Sequence, residues 1–401
     1  MHRVVVTGLG IKSPAGTTVS EAYSTVLAGR STAVHLPELL NAGVKVTFGC
    51  PVSGFDPDAY FPRHRQRHLD RPAQLAVAAA VDAYADSGLP HGAERSGVYV
   101  GTGGANIALT ASLGGLPLDE LPVATVPMIM PNSTAARISI RHGLQGPCLT
   151  LGAACASGTT AIGEAMMAIR YGRIDRAVAG AVDAMLTPFV MAAFARIGAL
   201  SRRSEAPELA SRPFDQERDG FVMGEAAAFL VLERREHAMA RGAQIYGEVS
   251  GYATAADAGH IVKPLEDGAV AARTMLAALS DAGLRPEDVG HVNAHATATD
   301  FNDRAEALAL ARCFPAGTPP VTATKGVTGH LLGAGGAVEA VMALLCSRHG
   351  VVPPTANFTG GPDAAGIDVV HTKPRQITPG TPVLSNSFGF GGHDASLVLT
   401  G

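Results

Sequence analysis

In the stretch LTLGAACASGTT, residues 149–160, an apolar run ends at Cys155, and the turn that follows is built from small residues, Ala156 to Thr160. If PCLTLGA is a strand and SGTTAIGEAMMAIRYG a helix, Cys155 stands at the N-terminus of that helix. Unpaired N–H groups and the positive end of the helix dipole meet there and favour a thiolate. Small neighbours let a substrate approach the sulfur, and they leave backbone N–H groups free to hold an oxyanion. The stretch suits a nucleophilic thiol. A buried structural cysteine could carry the same residues, and on this stretch alone both readings stand. The other four cysteines, Cys50, Cys148, Cys313 and Cys346, lack such surroundings and are expected to be structural.

Three later stretches add groups that could serve a nucleophile. In VNAHATATDFND, His295 follows an apolar run and precedes Thr297 and Thr299. In TKGVTGHLLGAGGAVEA, His330 sits among glycines, with Lys325 before it and Glu339 after it. In NSFGFGGHDAS, Gly389, Gly391 and Gly392 surround Phe388 and Phe390. Each has a plainer reading, a satisfied polar side chain or a glycine turn, and fourteen histidines make coincidence easy. No metal is expected, because neither histidine has the i, i+4 partner of a helical metal motif and no CxxC pair exists. TGLGIKS and GTGGANIA follow strands as dinucleotide loops do, but both lack the third glycine, and neither holds a P-loop lysine.

The elements that must position these groups alternate along the chain. RVVVTG, SGVYVGTG and RAVAGAVDAM read as strands. PAQLAVAAAVDAYADSG, GTTAIGEAMMAIRYG and EAAAFLVLERREHAMARG take the helical places between and after them. From IYGEVSGYAT the alternation begins again, so the expected division is an N-terminal half at 1–245 with Cys155 and a C-terminal half at 246–401 with both histidines. No low-complexity linker separates them, which favours one compact unit. With 401 residues, 47% of them hydrophobic, the chain can bury a large core. A formal charge of −4 excludes a basic field for nucleic acid. Five scattered cysteines, an N-terminus that reads as a strand rather than a signal peptide, and no apolar run near ~20 residues point to a reducing, cytoplasmic compartment away from membranes.

A cysteine at a strand–helix turn, the NAHATAT histidine, the TK and TGHLLGAGGAVEA pair, and a terminal NSFGFGG, in this order, resemble the β-ketoacyl-[acyl carrier protein] synthases, most of all the elongating, ketosynthase-II-like branch. The resemblance runs from VVVTGLG through SRPFDQERDGFVMGEAAAFLVLE to the C-terminus. It implies an α/β thiolase fold, two similar halves in five αβαβα layers, and a dimer. It implies a decarboxylative Claisen condensation of an acyl chain with malonyl on acyl carrier protein, in fatty acid or polyketide and polyene synthesis. It implies no cofactor beyond the carrier's phosphopantetheine. By the same resemblance Cys155 accepts the acyl chain, His295 and His330 hold the malonyl thioester, and the N–H groups of Cys155 and Phe390 form the oxyanion hole. Lys325 and Glu339 set the local field and hold the histidines. Thr297 and Thr299 meet the phosphopantetheine arm, and Phe388 and Phe390 border the substrate, Phe390 as a gate.

Several positions depart from the family's commonest pattern. Ala296 and Asp300 stand in HATATD, His393 and Asp394 in GGHDAS, and Gly259 in DAGHIV. None removes a catalytic group; together they suggest a diverged member. FPRHRQRHLDR gathers Arg63, Arg65 and Arg67 into a basic patch, read as the landing site of an acidic carrier protein. The rivals are a thiolase, which would need a second cysteine near the C-terminus, and a chain-length-factor-like subunit, which would lack Cys155. Whether the dimer is of identical chains or pairs with such a subunit stays open.

Overall fold

Valine, alanine and leucine runs of strand length recur along the chain, and ten of the strands they form join one sheet. The computed structural model describes residues 1–401 except Arg67 and Ala105. In chain order the strands are β1 (Val4–Lys12), β2 (Ser96–Gly101), β3 (Cys148–Leu151), β4 (Arg176–Asp183) and β5 (Ala226–Arg234). There follow β6 (Gly247–Ala256), β7 (His291–Asn293), β8 (Val321–Thr322), β9 (Val383–Gly389) and β10 (His393–Thr400). Their order across the sheet is β8-β7-β9-β10-β6-β1-β5-β4-β2-β3. Outward from the centre each half runs first, fifth, fourth, second, third strand. In both, the inner pairings are antiparallel and the outer two parallel. A short antiparallel contact, Val5 opposite Glu248 and Val6 opposite Gly247, joins them.

The main helices are α1 (Arg71–Ser87), α2 (Ser133–His142), α3 (Ser157–Arg170), α4 (Ala269–Asp281), α5 (Asp300–Cys313) and α6 (Gly335–His349). Helix α1 lies on β1 and β5, and α4 lies on β6 and β10. Helices α3 and α6 touch each other and strands of both halves. The result is the expected αβαβα layering. Buried on both faces, the outer strands β2 and β4 read as near-continuous apolar runs. Among the described residues no helix is long and apolar enough to cross a membrane.

The central layer depends on small residues. A Cβ on Gly158 of α3 would lie 2.7 Å from the Ala337 nitrogen, and one on Gly336 of α6 would lie 2.1 Å from Thr159 Oγ1. The two helices therefore meet backbone to backbone, which brings the start of α3 beside the loop before α6. The glycines of TGLGIKS have a similar use. Cβ atoms on Gly8 and Gly10 would run into the Ala83 and Ala79 carbonyls of α1, so this stretch is a helix-packing strand and not a nucleotide loop.

One expectation fails locally. Residues 225–242 are not a helix: Ala226–Arg234 forms β5, fully inside the sheet, and only Arg235–Ala240 is helical. Alanine favours helices, but burial between α1 and the central helices outweighs that preference.

Candidate active site

Cys155 follows β3 and immediately precedes α3, on a tight elbow. Ala154 holds φ at +47°, a left-handed conformation uncommon for an alanine. The Ser157 hydroxyl accepts from the Ala153 N–H at 2.8 Å and faces the Ala154 carbonyl at 2.7 Å, which fixes the elbow from inside. The sulfur is thereby aimed at the other half. His330 Nε2 lies 3.0 Å from Cys155 Sγ. The His330 backbone is clamped, its N–H donating to the Val222 carbonyl at 2.7 Å and its carbonyl accepting from Gly224 at 2.9 Å. The ring of Phe221 meets the imidazole edge-on at 5.1 Å.

His295 follows β7. Its ring centroid lies 5.5 Å from that of His330, the two planes nearly perpendicular. Its loop is held by a residue that sequence reasoning did not single out. Glu306 on α5 accepts the His295 N–H at 2.8 Å and the Ala296 N–H at 2.7 Å. Asp183 at the end of β4 was also missed. It accepts from Thr102 Oγ1 and from the N–H groups of Gly103, Gly104 and Gly333, so one carboxylate ties loops of both halves around the cysteine. Neither acid stands beside the groups it holds in sequence, and the only local signal is an acid within an otherwise small, apolar run.

Lys325 and Glu339 are both buried and pair with each other at 2.5 Å. They do not line the cavity; they act from behind it. Burial, then the Lys325 charge, pushes both imidazoles well below the ordinary histidine range, with His330 adding to the effect on His295. Both rings are therefore neutral near pH 7. Cys155 differs from expectation. Burial pushes its thiol up to about 12, against the opposing pull of Lys325 and of the Phe390 N–H, which donates toward the sulfur. The helix N-terminus does not outweigh desolvation, and the resting group is a thiol.

The cavity in front of the sulfur measures about 550 Å³ and is lined by Cys155, His295, His330, Thr297, Thr299, Phe388 and Phe390, with Met185, Phe194 and Ile197 on its apolar side. Thr297 and Thr299 hydroxyls meet at 2.9 Å. Phe390 faces Phe194, ring centroids 6.4 Å apart. A Cβ on Gly389 would lie 3.0 Å from the Cys155 nitrogen, so the glycine leaves open the space between the Cys155 and Phe390 N–H groups. One sulfur and one nitrogen from each histidine lie within 4.8 Å of one another, a trio that could hold a soft cation. Local spacing could not disclose this, because the ligands meet only through tertiary structure.

The basic patch lies apart from this cavity. Arg63 and Arg65 are exposed on a four-residue helix, and Arg63 pairs with Asp58 at 2.9 Å. Arg67 lies outside the described residues.

Comparison with known proteins agrees with this geometry. Residues 1–238 match the family model described as "Beta-ketoacyl synthase, N-terminal domain", and residues 246–359 match "Beta-ketoacyl synthase, C-terminal domain". The chain is 40% identical over 408 residues to 3-oxoacyl-[acyl-carrier-protein] synthase 2 of Vibrio cholerae serotype O1, covering 99% of each chain. The solved ishigamide ketosynthase/chain length factor superposes with a TM-score of 0.92 at 33% identity, covering 100% of this chain and 99% of that one. A type II polyketide synthase acyl-carrier protein in complex with its ketosynthase bound to the hexaketide gives 0.91 at 32%, with the same coverage.

Proposed function

The chain belongs to the β-ketoacyl synthase family, and from that membership we propose how its residues divide the reaction. The protein is an acyltransferase of the thiolase fold. It joins a cysteine-bound acyl chain to malonyl-acyl carrier protein by decarboxylative condensation, the carbon–carbon bond-forming step of fatty acid synthesis. The observation that carries the assignment of roles is the 3.0 Å contact between Cys155 Sγ and His330 Nε2, with His295 beside them at the cavity.

In the first half-reaction the Cys155 thiol attacks the acyl thioester while its proton passes to the neutral His330 imidazole. The N–H groups of Cys155 and Phe390 hold the oxyanion, and the proton leaves with the carrier's thiol. In the second, His330 first exchanges protons with solvent to the tautomer that carries Nε2–H, and the N–H groups of His295 and His330 donate to the malonyl thioester oxygen. Loss of CO₂ leaves an enolate that those donors stabilise. The enolate carbon attacks the Cys155 thioester, and the sulfur leaves and takes up one proton from solvent, the proton that the overall reaction consumes. Burial and, after it, the Lys325 charge hold both rings neutral, so that each has one N–H and one lone pair. Thr297 and Thr299 meet the pantetheine arm, and Phe388 and Phe390 border it.

Cys155 in the cavity favours a synthase over a chain-length factor. Among the described residues no other cysteine lines the cavity, which disfavours a thiolase. Substrates arrive on the phosphopantetheine of acyl carrier protein, docked at Arg63, Arg65 and Arg67. A second ketosynthase-like subunit, a copy or a chain-length factor, pairs along the open edge strand β3, where Leu149, and Ile140 on α2, are exposed. We place the division of the halves near residue 245, where the strand order restarts, and the protein in the cytoplasm, as its five free cysteines suggest.

The test follows each half-reaction in Cys155→Ala, His295→Ala and His330→Ala proteins. Cys155→Ala should form no acyl-enzyme yet still release ¹⁴CO₂ from malonyl-carrier protein. His295→Ala should acylate yet lose decarboxylation by about 10²–10³-fold. A condensing Cys155→Ala protein, or a His295→Ala protein decarboxylating at the parent rate, would reverse the assignment.

A further inference from the structure

Asp394, at the start of β10, is one of the departures from the family pattern that the proposed reaction leaves without a use. It is 3% exposed. Its Oδ2 is buried with no donor, and its side chain lies within hydrogen-bonding reach of the Asp257 carboxyl. Two carboxylates cannot bond each other without a proton between them.

Asp257 is also the node between two loops. Its N–H donates to the Gly392 carbonyl at 2.9 Å, and its Oδ2 accepts the Leu265 N–H at 3.0 Å. The Gly391 N–H donates to the Ile261 carbonyl at 2.7 Å. Segment 257–265 therefore backs the Gly389–Gly392 turn, which carries Phe390 and its N–H. Gly391 and Gly392 hold φ at +84° and +74°, where the chain can pivot. Behind Phe388 lies a cavity of about 20 Å³, lined by Asp257, Asp394 and Glu306, so both aspartates face one small space.

We propose that Asp394 and Asp257 share one proton, and that this bond latches the Phe390 turn against segment 257–265 in the position that completes the oxyanion hole. Asp394 is then a positioning residue. The charged groups around it are Asp257 from the segment after β6, Glu306 from α5 and Arg273 from α4. Burial first, then Asp257 and Glu306, pushes the Asp394 carboxyl up to about 8, while Arg273 opposes them. The proton is in place at pH 7 and departs above pH 8, where two negative charges would face each other and the latch would open.

The inference rests on the assignment of Cys155 and Phe390 above, so the test has one arm that needs no ketosynthase chemistry. Full-length protein and its Asp394→Asn variant, in which the amide donates to Asp257 at any pH, are each normalised to their own rate at pH 7. The first arm measures alkylation of Cys155 by iodoacetamide, the second acylation of Cys155 by a soluble acyl thioester. Taking the ratio to Asp394→Asn cancels the titration of the thiol itself. One pH unit above its pKa a group keeps about a tenth of its protons. Between pH 7 and 9 the relative alkylation rate should rise, and the relative acylation rate fall, by about tenfold. Alkylation that shifts while neither protein acylates would support the latch and overturn the assigned reaction. A relative alkylation rate that stays flat with pH would overturn the latch.

Discussion

Gly389→Ala should separate the two half-reactions. Gly389 ends strand β9 with a φ outside the left-handed region, so alanine suits its backbone. The obstacle is space. The new Cβ would lie 2.8 Å from the Ala153 carbonyl oxygen, 3.0 Å from the Cys155 nitrogen and 3.2 Å from Ala154 Cβ. Two of these atoms belong to the backbone of the elbow and cannot swing aside. Either the methyl covers the Cys155 N–H, or the turn retreats and takes the Phe390 N–H with it. Both outcomes remove one oxyanion donor, a loss of about 10²–10³-fold, or roughly 2.7–4 kcal/mol. The loss should fall on acylation and condensation. Decarboxylation, which uses the two imidazoles, should stay near the parent rate. Single-turnover acylation followed by intact-protein mass spectrometry, beside ¹⁴CO₂ release from malonyl-carrier protein, reads both, and a melting curve checks the fold. If both half-reactions fall together, or acylation persists at the parent rate, the placement of the oxyanion hole is refuted.

Phe390→Ala should let malonyl reach the site before acylation; an unchanged order of substrate addition in initial-rate kinetics would remove the gate. Reversing charge at Arg63 and Arg65 should raise KM for carrier-bound substrates and flatten its dependence on salt, and a KM equal to the parent's across salt concentrations would move the docking site elsewhere. Glu306, fully buried, is pushed up to about 7 by desolvation despite its two N–H donors. The folded protein therefore keeps a proton that the unfolded chain loses near pH 4, and stability drains as pH rises between those values. Glu306→Gln removes that drain, so its melting temperature relative to the parent should climb from pH 4.5 to pH 7 and then level; a constant difference would contradict the buried-carboxylate account.

Cys155, His295, His330 and the phenylalanine turn were legible because each is announced by its neighbours: small residues, glycines and threonines crowd where a substrate must come close. Strands β1, β2 and β4 and helices α1 and α3 were legible from apolar and alanine-rich runs that alternate along the chain. What stayed hidden depends on tertiary burial. The Ala-rich start of 225–242 has helical composition, and only its place inside the sheet makes it β5. Glu306 and Asp183 act on backbone N–H groups of loops that reach them through the fold. The protonation of Cys155 reverses the local argument, because desolvation is a property of the whole cavity and not of one turn.

The repeated strand order bears on how such a site could arise. Cys155 lies between β3 and α3, and His330 lies between β8 and α6, the corresponding place in the other half. The end of β2, where Thr102 and Gly103 meet Asp183, corresponds likewise to the end of β7, where His295 stands. The groups proposed to react thus take corresponding places in the two halves, about a pseudo-twofold axis. Two identical halves could offer that axis only the same side chain twice, a pair of thiols or a pair of imidazoles. Joining both halves in one chain lets each mutate alone, so that in the proposed division one supplies the nucleophile and the other the two imidazoles.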